Sequence, residues 1–271
     1  MSTPASPLHV RWLGRVPYSE ALAVQQAVFE HGVDQHLLLV EHQHVFTYGQ
    51  QANLEQNLKC NPAEVGADLV SVHRGGDITY HGPGQLVGYP LLNLSAKHGE
   101  SGPADTSAYI HDVEQLVIDT LSELGLQNAS RKTGFPGVWL DAETSQARKI
   151  CAIGVRVARG ASERRTMHGF ALNVNTNLGY FDNIVPCGIA EYPVTSVAAE
   201  GIDISMADFV DVVARHASLA WGGGHIERQD VAWKQTPEDL SAFSRGEGPG
   251  QPVRMLGRLA RAGVTEAIEL S

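Results

Sequence analysis

Two segments of this sequence combine residue types that suit acyl chemistry. Arg74–Gln85 (RGGDITYHGPGQ) places four glycines within eleven residues, around the pair Tyr80 and His81. Glycine has no Cβ and tolerates positive φ, so such a backbone can approach a ligand closely. About a hundred residues later, Pro186–Ile189 sets Cys187 between a proline that fixes φ and a glycine that leaves the sulfur accessible. A substrate cradle and a candidate nucleophile together predict acyl transfer through a covalent thioester.

The glycine-rich segment does not match the common nucleotide-binding patterns. Gly82–Gly88 departs from G-x-G-x-x-G by one residue, and G-x-x-x-x-G-K-[ST] does not occur in the sequence. One interpretation is a tight turn between two strands, with Arg74 and Asp77 paired at its edge. The density of polar side chains favours a ligand pocket instead. These side chains are Arg74, Asp77, Thr79, Tyr80 and His81.

The three cysteines have different surroundings in the sequence. Cys60 has no suggestive context, and Cys151 lies in the apolar run Ile150–Ile153, so both are interpreted as small core residues. Cys187 follows Pro186 and precedes a glycine, which is typical of a turn rather than of a buried strand. Cys187 is therefore the candidate nucleophile.

A reactive thiol needs a neighbour that stabilises the thiolate, since a free cysteine titrates near ~8.5. Lys149 opens an apolar strand candidate and is the best-placed lysine in the sequence. An ordinary exposed lysine at a strand end is the alternative interpretation of Lys149. His81 and His168 offer a further alternative, a Cys-His arrangement. Spacing alone leaves the partner of Cys187 open.

Metal and disulfide chemistry fit the sequence poorly. The cysteines are odd in number and form no C-x-x-C pair, which argues against a disulfide framework and against a zinc ribbon. His42 and His44 can share one face of a strand, but no cysteines or carboxylates accompany them at ligand spacing. We expect no bound metal, and we expect a reduced, cytoplasmic protein.

The formal net charge of −10 argues against general nucleic-acid binding. Residues 131–165 depart from this balance, with eight arginines and lysines against three carboxylates. They are either solvated strand residues or a docking face for an acidic partner. The cations of residues 131–165 are Arg131, Lys132, Arg148, Lys149, Arg156, Arg159, Arg164 and Arg165.

No apolar run approaches the ~18 residues of a spanning helix, and the N-terminal residues lack the pattern of a secretory signal.

Apolar periodicity and capping residues predict three helices and several strands. Asp105 and Ser205 are candidate N-caps, and Gly125 suits a helix end. The predicted helices are Pro17–His31, Asp105–Leu124 and Ser205–Ala220. The predicted strands are His36–Tyr48 (one strand or a pair), Leu69–His73, Gln85–Leu92, Gly137–Leu140, Lys149–Val157 and Thr166–Val174.

Strands outnumber helices in this prediction and do not alternate with them regularly. The sequence therefore predicts an α+β fold, a single domain with a mixed or antiparallel sheet flanked by helices. Gly222–Gly224 marks a predicted boundary. We predict a domain over residues 1–221 and a C-terminal extension over 222–271, partly loop, with room for a short helix at Met255–Ala262.

Four motifs occur in order along the chain. They are Arg74–Gln85, Lys149–Gly154 (KICAIG), His168–Asn173 (HGFALN), and Pro186–Ile189 with Val194–Ser196. Together they resemble the octanoyltransferase family, over roughly residues 10–221. Four ordered motifs are far more specific than one glycine loop. The resemblance implies a fold similar to the catalytic domain of biotin- and lipoate-protein ligases.

The resemblance also implies a function for the acyltransferase catalytic domain over residues 1–221. Members transfer an octanoyl group from octanoyl-acyl carrier protein to a lysine of a lipoyl domain, the first step of protein lipoylation. The acceptors would be lipoyl domains of 2-oxoacid dehydrogenase complexes and the glycine cleavage H protein. Cys187 would be the acyl-thioester nucleophile and Lys149 its base. The implied substrate-binding residues are Arg74, Gly75, Gly76, Asp77, Ile78, Thr79, Tyr80, His81, Ala152, Ile153, Gly154, Gly169, Phe170 and Ala171.

Such a transfer needs no cofactor, because the donor is already a thioester and no activation by ATP is required. Three alternatives remain. An ATP-dependent lipoate or biotin ligase of the same fold would have no essential thiol. A non-catalytic module would bind acyl carrier or lipoyl domains without an adduct, and a cysteine hydrolase would release free fatty acid.

Overall fold

The structure of the protein is a computed structural model that describes residues 7–50, 52–94, 104–160, 164–185 and 192–230. Its strands are β1 (Leu8–Val16), β2 (His36–His42), β3 (Val45–Tyr48), β4 (Asp68–Ser71), β5 (Ile78–His81), β6 (Gln85–Leu91), β7 (Ala129–Lys132), β8 (Phe135–Leu140), β9 (Arg148–Arg159), β10 (Arg164–Asn173) and β11 (Ile226–Arg228). Its helices are α1 (Tyr18–His31), α2 (Leu54–Asn57), α3 (Thr106–Glu123) and α4 (Met206–Trp221), with 3₁₀ turns at Pro62–Val65 and Leu178–Asn183.

Eight of these strands form one mixed sheet in the order β11-β1-β2-β6-β10-β9-β8-β7. The strands β11, β1 and β2 run parallel to one another, and every other neighbouring pair is antiparallel. The predicted strands Lys149–Val157 and Thr166–Val174 correspond to β9 and β10. These two strands pair antiparallel, as expected for strands so close in the sequence. The predicted α+β fold with a mixed sheet is confirmed.

A second, three-stranded sheet has the order β4-β3-β5. The predicted pair over His36–Tyr48 is present, but its two strands belong to different sheets because the chain leaves the large sheet after His42. The strand β5 lies inside the glycine-rich segment and pairs antiparallel with β3. The glycine-rich segment Arg74–Gln85 therefore contains the four-residue strand β5 and the first residue of β6.

Helices cover both faces of the large sheet. On one face α3 and α4 bury a large apolar core that includes Leu116, Leu121 and Phe209. On the other face α1 packs on a smaller core through Ala21 and Val24. Both predicted caps are present, since Asp105 Oδ1 accepts from Ala108 N–H at 3.0 Å and Ser205 Oγ accepts from Asp208 N–H at 3.1 Å.

Within the described part of the chain, none of the helices combines the length and the apolar character that crossing a membrane requires.

The large sheet extends past the predicted boundary at residue 221. After α4 the chain turns through Gly222–Gly224 and forms β11, which pairs with β1 from Leu8↔Ile226 to Val10↔Arg228. Residues 231–271, with the predicted helix at Met255–Ala262, lie outside the described residues. The division into 1–221 and 222–271 stays a prediction.

Candidate active site

A cavity, here called the main cavity, opens between the large sheet, β5 and the glycine loop (residues 72–77). All but three of the predicted substrate-binding residues line it. Those that do are Arg74, Gly75, Gly76, Thr79, His81, Ala152, Ile153, Gly154, Gly169, Phe170 and Ala171. The remaining walls come from Tyr18, Val87, Tyr89 and His168, which the sequence did not predict as substrate-binding residues.

Close backbone contacts shape this cavity. The glycine loop crosses β9, where Gly75 N–H donates to the Val155 carbonyl at 3.1 Å. A Cβ on Gly154 would come within 3.2 Å of the Gly75 carbonyl oxygen, and one on Gly169 would lie 2.2 Å from the Gly88 carbonyl oxygen. Any larger residue at Gly169 would push β10 away from β6. Side chains are therefore excluded where the glycine loop meets β9 at Gly154 and where β10 meets β6 at Gly169.

Asp77, Ile78 and Tyr80 do not line the cavity. Successive side chains of a strand point to opposite faces, so the β5 residues that alternate with Thr79 and His81 turn away. Ile78 and Tyr80 are buried in a separate apolar cluster with Phe46. Asp77 supports the loop instead: its carboxylate accepts from Asn57 Nδ2 at 2.5 Å and from Ile78 N–H at 2.7 Å.

A smaller cavity, the lysine cavity, adjoins the main cavity. Thr79, Ala152 and Ala171 line both. Lys149 lines only the lysine cavity, where its Nζ donates to the Pro136 carbonyl at 3.1 Å and lies 4.7 Å from the Trp139 ring centroid. An amine thus lies at one end of a largely apolar chamber. The other walls are Gln85, Ile150, Cys151, Asn173, Phe181 and Val194.

Cys187 lies outside the described residues, as do its neighbours from 186 to 191. The described residues on either side of this gap are anchored. Before it, Val185 N–H donates to the Asn57 carbonyl at 2.8 Å. After it, Lys149 N–H donates to the Pro193 carbonyl and Thr195 N–H donates to the Lys149 carbonyl, both at 2.9 Å. The described residues that follow Cys187 in the sequence, Pro193 and Thr195, therefore contact the backbone of Lys149 directly.

The two described cysteines do not suit a nucleophile. Cys151 is fully buried in β9, and burial raises the pKa of its thiol far above the ordinary range, although nearby Lys149 opposes this. Burial and then Glu64 raise the pKa of Cys60, which packs beside the small sheet and lines neither cavity. Both remain thiols at neutral pH, as expected of structural cysteines.

The two cavity histidines are neutral at pH 7. Burial is the main cause that lowers the pKa of His81 well below 6.5 and that of His168 to about 4. His81 is also held by hydrogen bonds, with Nδ1 to Gln85 Oε1 at 2.8 Å and Nε2 to Thr47 Oγ1 at 3.2 Å. A neutral imidazole supplies no charge to stabilise a thiolate, so the described cations at the two cavities are Arg74 and Lys149.

Buried histidines give the fold a measurable pH dependence. Burial lowers the pKa of both His42 and His168 to about 4, whereas an unfolded histidine titrates near ~6.5. Between these values the unfolded chain binds more protons, so stability that is present above pH 6.5 is lost as the pH falls towards 4. Each group should lower the free energy of unfolding by about 2 kcal/mol between pH 7 and pH 5. Urea unfolding at pH 7, 6 and 5 measures this, and an unchanged free energy would contradict it.

The eight cations of residues 131–165 do not share one face. Arg131 and Arg148 lie in ion pairs with carboxylates, at N–O distances of 2.9 Å for Arg131 and 2.5 to 2.6 Å for Arg148. Arg165 is only 1% exposed. The twelve residues of β9 separate Arg148 from Arg159 by about 36 Å. Three arginines at the β9–β10 hairpin take part in none of the ion pairs among the described residues: Arg156, Arg159 and Arg164.

Residues 17–218 match the family model of the lipoyl protein ligase A/B catalytic domain. The chain is 45% identical over 211 residues to an octanoyltransferase of Christiangramia forsetii, covering 71% of this chain and 86% of that protein. It is 44% identical over 222 residues to an octanoyltransferase of Salinispora arenicola, covering 80% of this chain and 97% of that protein. The chain belongs to the octanoyltransferase family.

The fold of this octanoyltransferase family member is also that of solved lipoate-protein ligases. A bipartite lipoate protein ligase from Thermoplasma acidophilum superposes with a TM-score of 0.64 at 18% identity, covering 93% of this chain and 96% of the other. A lipoate-protein ligase A bound with ATP superposes with a TM-score of 0.62 at 18% identity, covering 90% and 95%. At these identities the likeness concerns the fold alone.

The octanoyltransferase motifs leave out part of the main cavity. Tyr18 comes from the start of α1, and Val87 and Tyr89 come from β6. Only the tertiary arrangement brings them to the cavity, and no local spacing signals this. His168 differs, since it is the first residue of the motif His168–Asn173 and is recognisable as a polar residue in an apolar strand. No three potential metal ligands converge among residues of the described ranges.

Proposed function

We propose that this chain transfers an octanoyl group from octanoyl-acyl carrier protein to a lysine of lipoyl domains, through a thioester on Cys187. The acceptors are lipoyl domains of 2-oxoacid dehydrogenase complexes and the glycine cleavage H protein. Membership of the octanoyltransferase family supports an octanoyl transfer that serves lipoylation. The observation that supports the proposal best is that the two cavities share Thr79, Ala152 and Ala171 as walls, so that a lysine amine lies close to an apolar chamber.

The apolar part of the main cavity suits a saturated chain. Val87, Ile153, Phe170 and the two shared alanines supply aliphatic and aromatic surface. Burying each CH₂ group gains about 0.8 kcal/mol, so eight carbons provide substantial binding energy. The acyl carbonyl would then lie near the lysine cavity, where a nucleophile can attack it.

In the first step the Cys187 thiolate attacks the carbonyl carbon of the donor thioester. A new C–S bond forms, the C–S bond to the donor breaks, and the donor leaves as a thiolate that takes up the proton lost by Cys187. One thioester replaces another, so the step is close to neutral in energy and needs neither ATP nor a cofactor. Lys149 supports this step by stabilising the Cys187 thiolate.

In the second step the lysine amine of the lipoyl domain attacks the thioester on Cys187. The amide C–N bond forms, the C–S bond breaks, and a proton passes from the attacking amine to the Cys187 sulfur through Lys149. Covalent catalysis thus divides a transfer between two large carriers into two exchanges at one site. The backbone bonds from Lys149 to Pro193 and Thr195 support this role, because they tie the lysine to the segment that contains Cys187 in sequence.

The hairpin arginines suit an acidic donor protein. Arg159 and Arg164 lie directly opposite each other in the β9–β10 ladder, where like charges repel unless an anion is near. Arg156 is exposed and lies two residues along β9 from the cavity residue Gly154. A positive patch beside the cavity would speed the encounter with an acidic carrier protein.

Replacing Arg156 and Arg159 together by glutamine is expected to raise KM for octanoyl-acyl carrier protein about tenfold at low salt. Transfer from a small donor, octanoyl-pantetheine, should be unchanged, and added salt should shrink the difference. Steady-state kinetics with both donors measures the effect. Arg215→Gln is the matched control on α4, and equal loss with both donors would contradict docking by the hairpin.

Enlarging Ala152 is expected to slow acyl transfer for short and long chains alike. Ala152→Leu adds three carbons where the two cavities meet, which is where the carbonyl end of the chain would lie, so transfer of hexanoyl and of octanoyl groups should each fall about tenfold or more. Steady-state kinetics with hexanoyl and octanoyl donors measures kcat/KM for each chain. Ala158→Leu, the same exchange on β9 outside both cavities, should leave both values as they are, and an unchanged octanoyl rate in Ala152→Leu would contradict this placement of the carbonyl.

The direct test of the proposed function is transfer with purified components. Octanoyl-acyl carrier protein and an unmodified lipoyl domain are mixed with the protein, with and without ATP, and the lipoyl domain is weighed by mass spectrometry. Equal octanoylation in both samples is expected. Labelling from free octanoate that depends on ATP would favour a ligase, and release of free octanoate without labelling would favour a hydrolase.

A further inference from the structure

His168 has an unusual backbone for a strand residue. It lies within β10, pairs with Val155 on β9, and yet has a φ of 58°. This left-handed conformation is unfavourable for a residue with a Cβ and persists where surrounding contacts hold it. Here the backbone N–H of His168 donates to Oε1 of the fully buried Gln25 on α1 at 3.0 Å. The contact with α1 keeps the imidazole turned into the main cavity.

The two ring nitrogens of His168 have different surroundings. The ring hydrogen-bonds to the His73 carbonyl, which accepts a proton donor. Nδ1 is buried and has no hydrogen-bond partner among the described residues, so the donor to His73 is Nε2. Because burial lowers the pKa of the ring to about 4, the ring is neutral and Nδ1 is an acceptor. A residue that lines the main cavity therefore carries a buried acceptor without a partner among the described residues.

His168 lies at the end of the main cavity that is remote from Lys149. The ladder of β9 and β10 runs from Ala152↔Ala171, where the two cavities meet, to Val155↔His168. Three residues of strand separate Ala171 from His168, a distance of about 10 Å. An extended chain of eight carbons, with C–C bonds of about 1.5 Å, is roughly 9 Å long. A chain whose carbonyl lies at the lysine cavity thus ends close to His168.

We propose that His168 sets the length of the acyl chain, because its Nδ1 accepts a hydrogen bond from an O–H donor at the remote end of the cavity. With a saturated eight-carbon chain that donor is a water molecule. A longer saturated chain displaces the water and leaves a buried acceptor without a partner, which is unfavourable. A chain that carries its own terminal hydroxyl replaces the water and keeps the hydrogen bond. This inference rests on the proposed function in assuming that the main cavity holds the acyl chain with its carbonyl at the lysine cavity.

The test is a binding series that requires no catalysis. Octanoate, decanoate and 8-hydroxyoctanoate are titrated calorimetrically into the native protein, His168→Leu and His168→Asn. Leucine removes the acceptor, whereas asparagine keeps an acceptor near Nδ1 and tolerates positive φ. We expect the native protein and His168→Asn to prefer octanoate over decanoate by about tenfold, and His168→Leu to lose this preference. We also expect the native protein to bind 8-hydroxyoctanoate at least as tightly as octanoate.

Two results would overturn the role of His168. One is an unchanged preference for octanoate in a folded His168→Leu protein. The other is native protein that binds 8-hydroxyoctanoate tenfold or more weakly than octanoate, and this measurement stands even where His168→Leu fails to fold. Failure of the proposed function looks different, since the native protein would then bind the fatty acids in the expected order but transfer no octanoyl group.

Discussion

Replacing Cys187 by alanine is expected to reduce octanoyl transfer to a lipoyl domain by at least about 10³-fold, because the covalent route loses its nucleophile. Thioester exchange and amide formation both pass through this sulfur, so no partial reaction survives. Initial rates of lipoyl-domain octanoylation, followed by mass spectrometry, measure the loss. Binding of octanoate should persist, since the walls of the main cavity are unchanged.

Cys60→Ala is the matched control for this prediction. Cys60 is partly exposed, packs beside the small sheet and lines neither cavity, so its removal should leave the rate within a factor of about two. Comparable rates for Cys187→Ala and the native protein would contradict the thioester route. They would favour direct transfer or an adenylate instead.

Replacing Lys149 by methionine is expected to lower kcat for octanoyl transfer by about 10² to 10⁴-fold, the usual effect of losing a positioned acid or base. Methionine keeps the aliphatic length that packs over Trp139 but removes the amine. Lys149→Arg retains a positive charge and can stabilise a thiolate, but it cannot accept a proton. It should therefore form the octanoyl adduct on Cys187 and discharge it slowly. Single-turnover measurements of the two half-reactions separate these effects.

Lys132→Met provides the control for the loss of a lysine in this region. Lys132 Nζ lies 4.7 Å from the Tyr192 ring centroid and donates to the Ala142 carbonyl, an arrangement close to that of Lys149 on Trp139 and Pro136. It lines neither cavity, so Lys132→Met should retain transfer. If Lys149→Met also retained transfer, Lys149 would be a structural residue.

Local signals in the sequence predict much of the fold. The helix α3 is predicted to within one residue at each end, because Asp105 caps its start and Gly125 follows its end with a φ of 101°. The strand β1 escapes prediction, because its alternation of apolar residues is broken where the register with β2 shifts between Trp12 and Arg15. The three-residue β11 is too short to leave a pattern.

The candidate site is predictable only in part. Glycine positions and apolar motifs indicate the walls on β9 and β10, and these walls do surround one cavity. The alternation of Ile78 and Tyr80 with Thr79 and His81 is visible in the sequence, but four residues beside a glycine-rich run are too few to distinguish a short strand from a loop. Tyr18 and Tyr89 reach the cavity from α1 and β6 through tertiary contacts alone. His168 is an alternative base in the sequence, but burial lowers the pKa of its ring to about 4, which makes it a weak base.

The central claim is that Cys187 carries the octanoyl group, and its most direct test is the intact mass of the protein. The native protein and Cys187→Ala are each mixed with octanoyl-acyl carrier protein, without ATP and without a lipoyl domain. We predict one added octanoyl group on the native protein, none on Cys187→Ala, and loss of the added mass when a lipoyl domain is supplied. An unmodified native protein that still octanoylates the lipoyl domain, or an equal adduct on both proteins, would contradict the account.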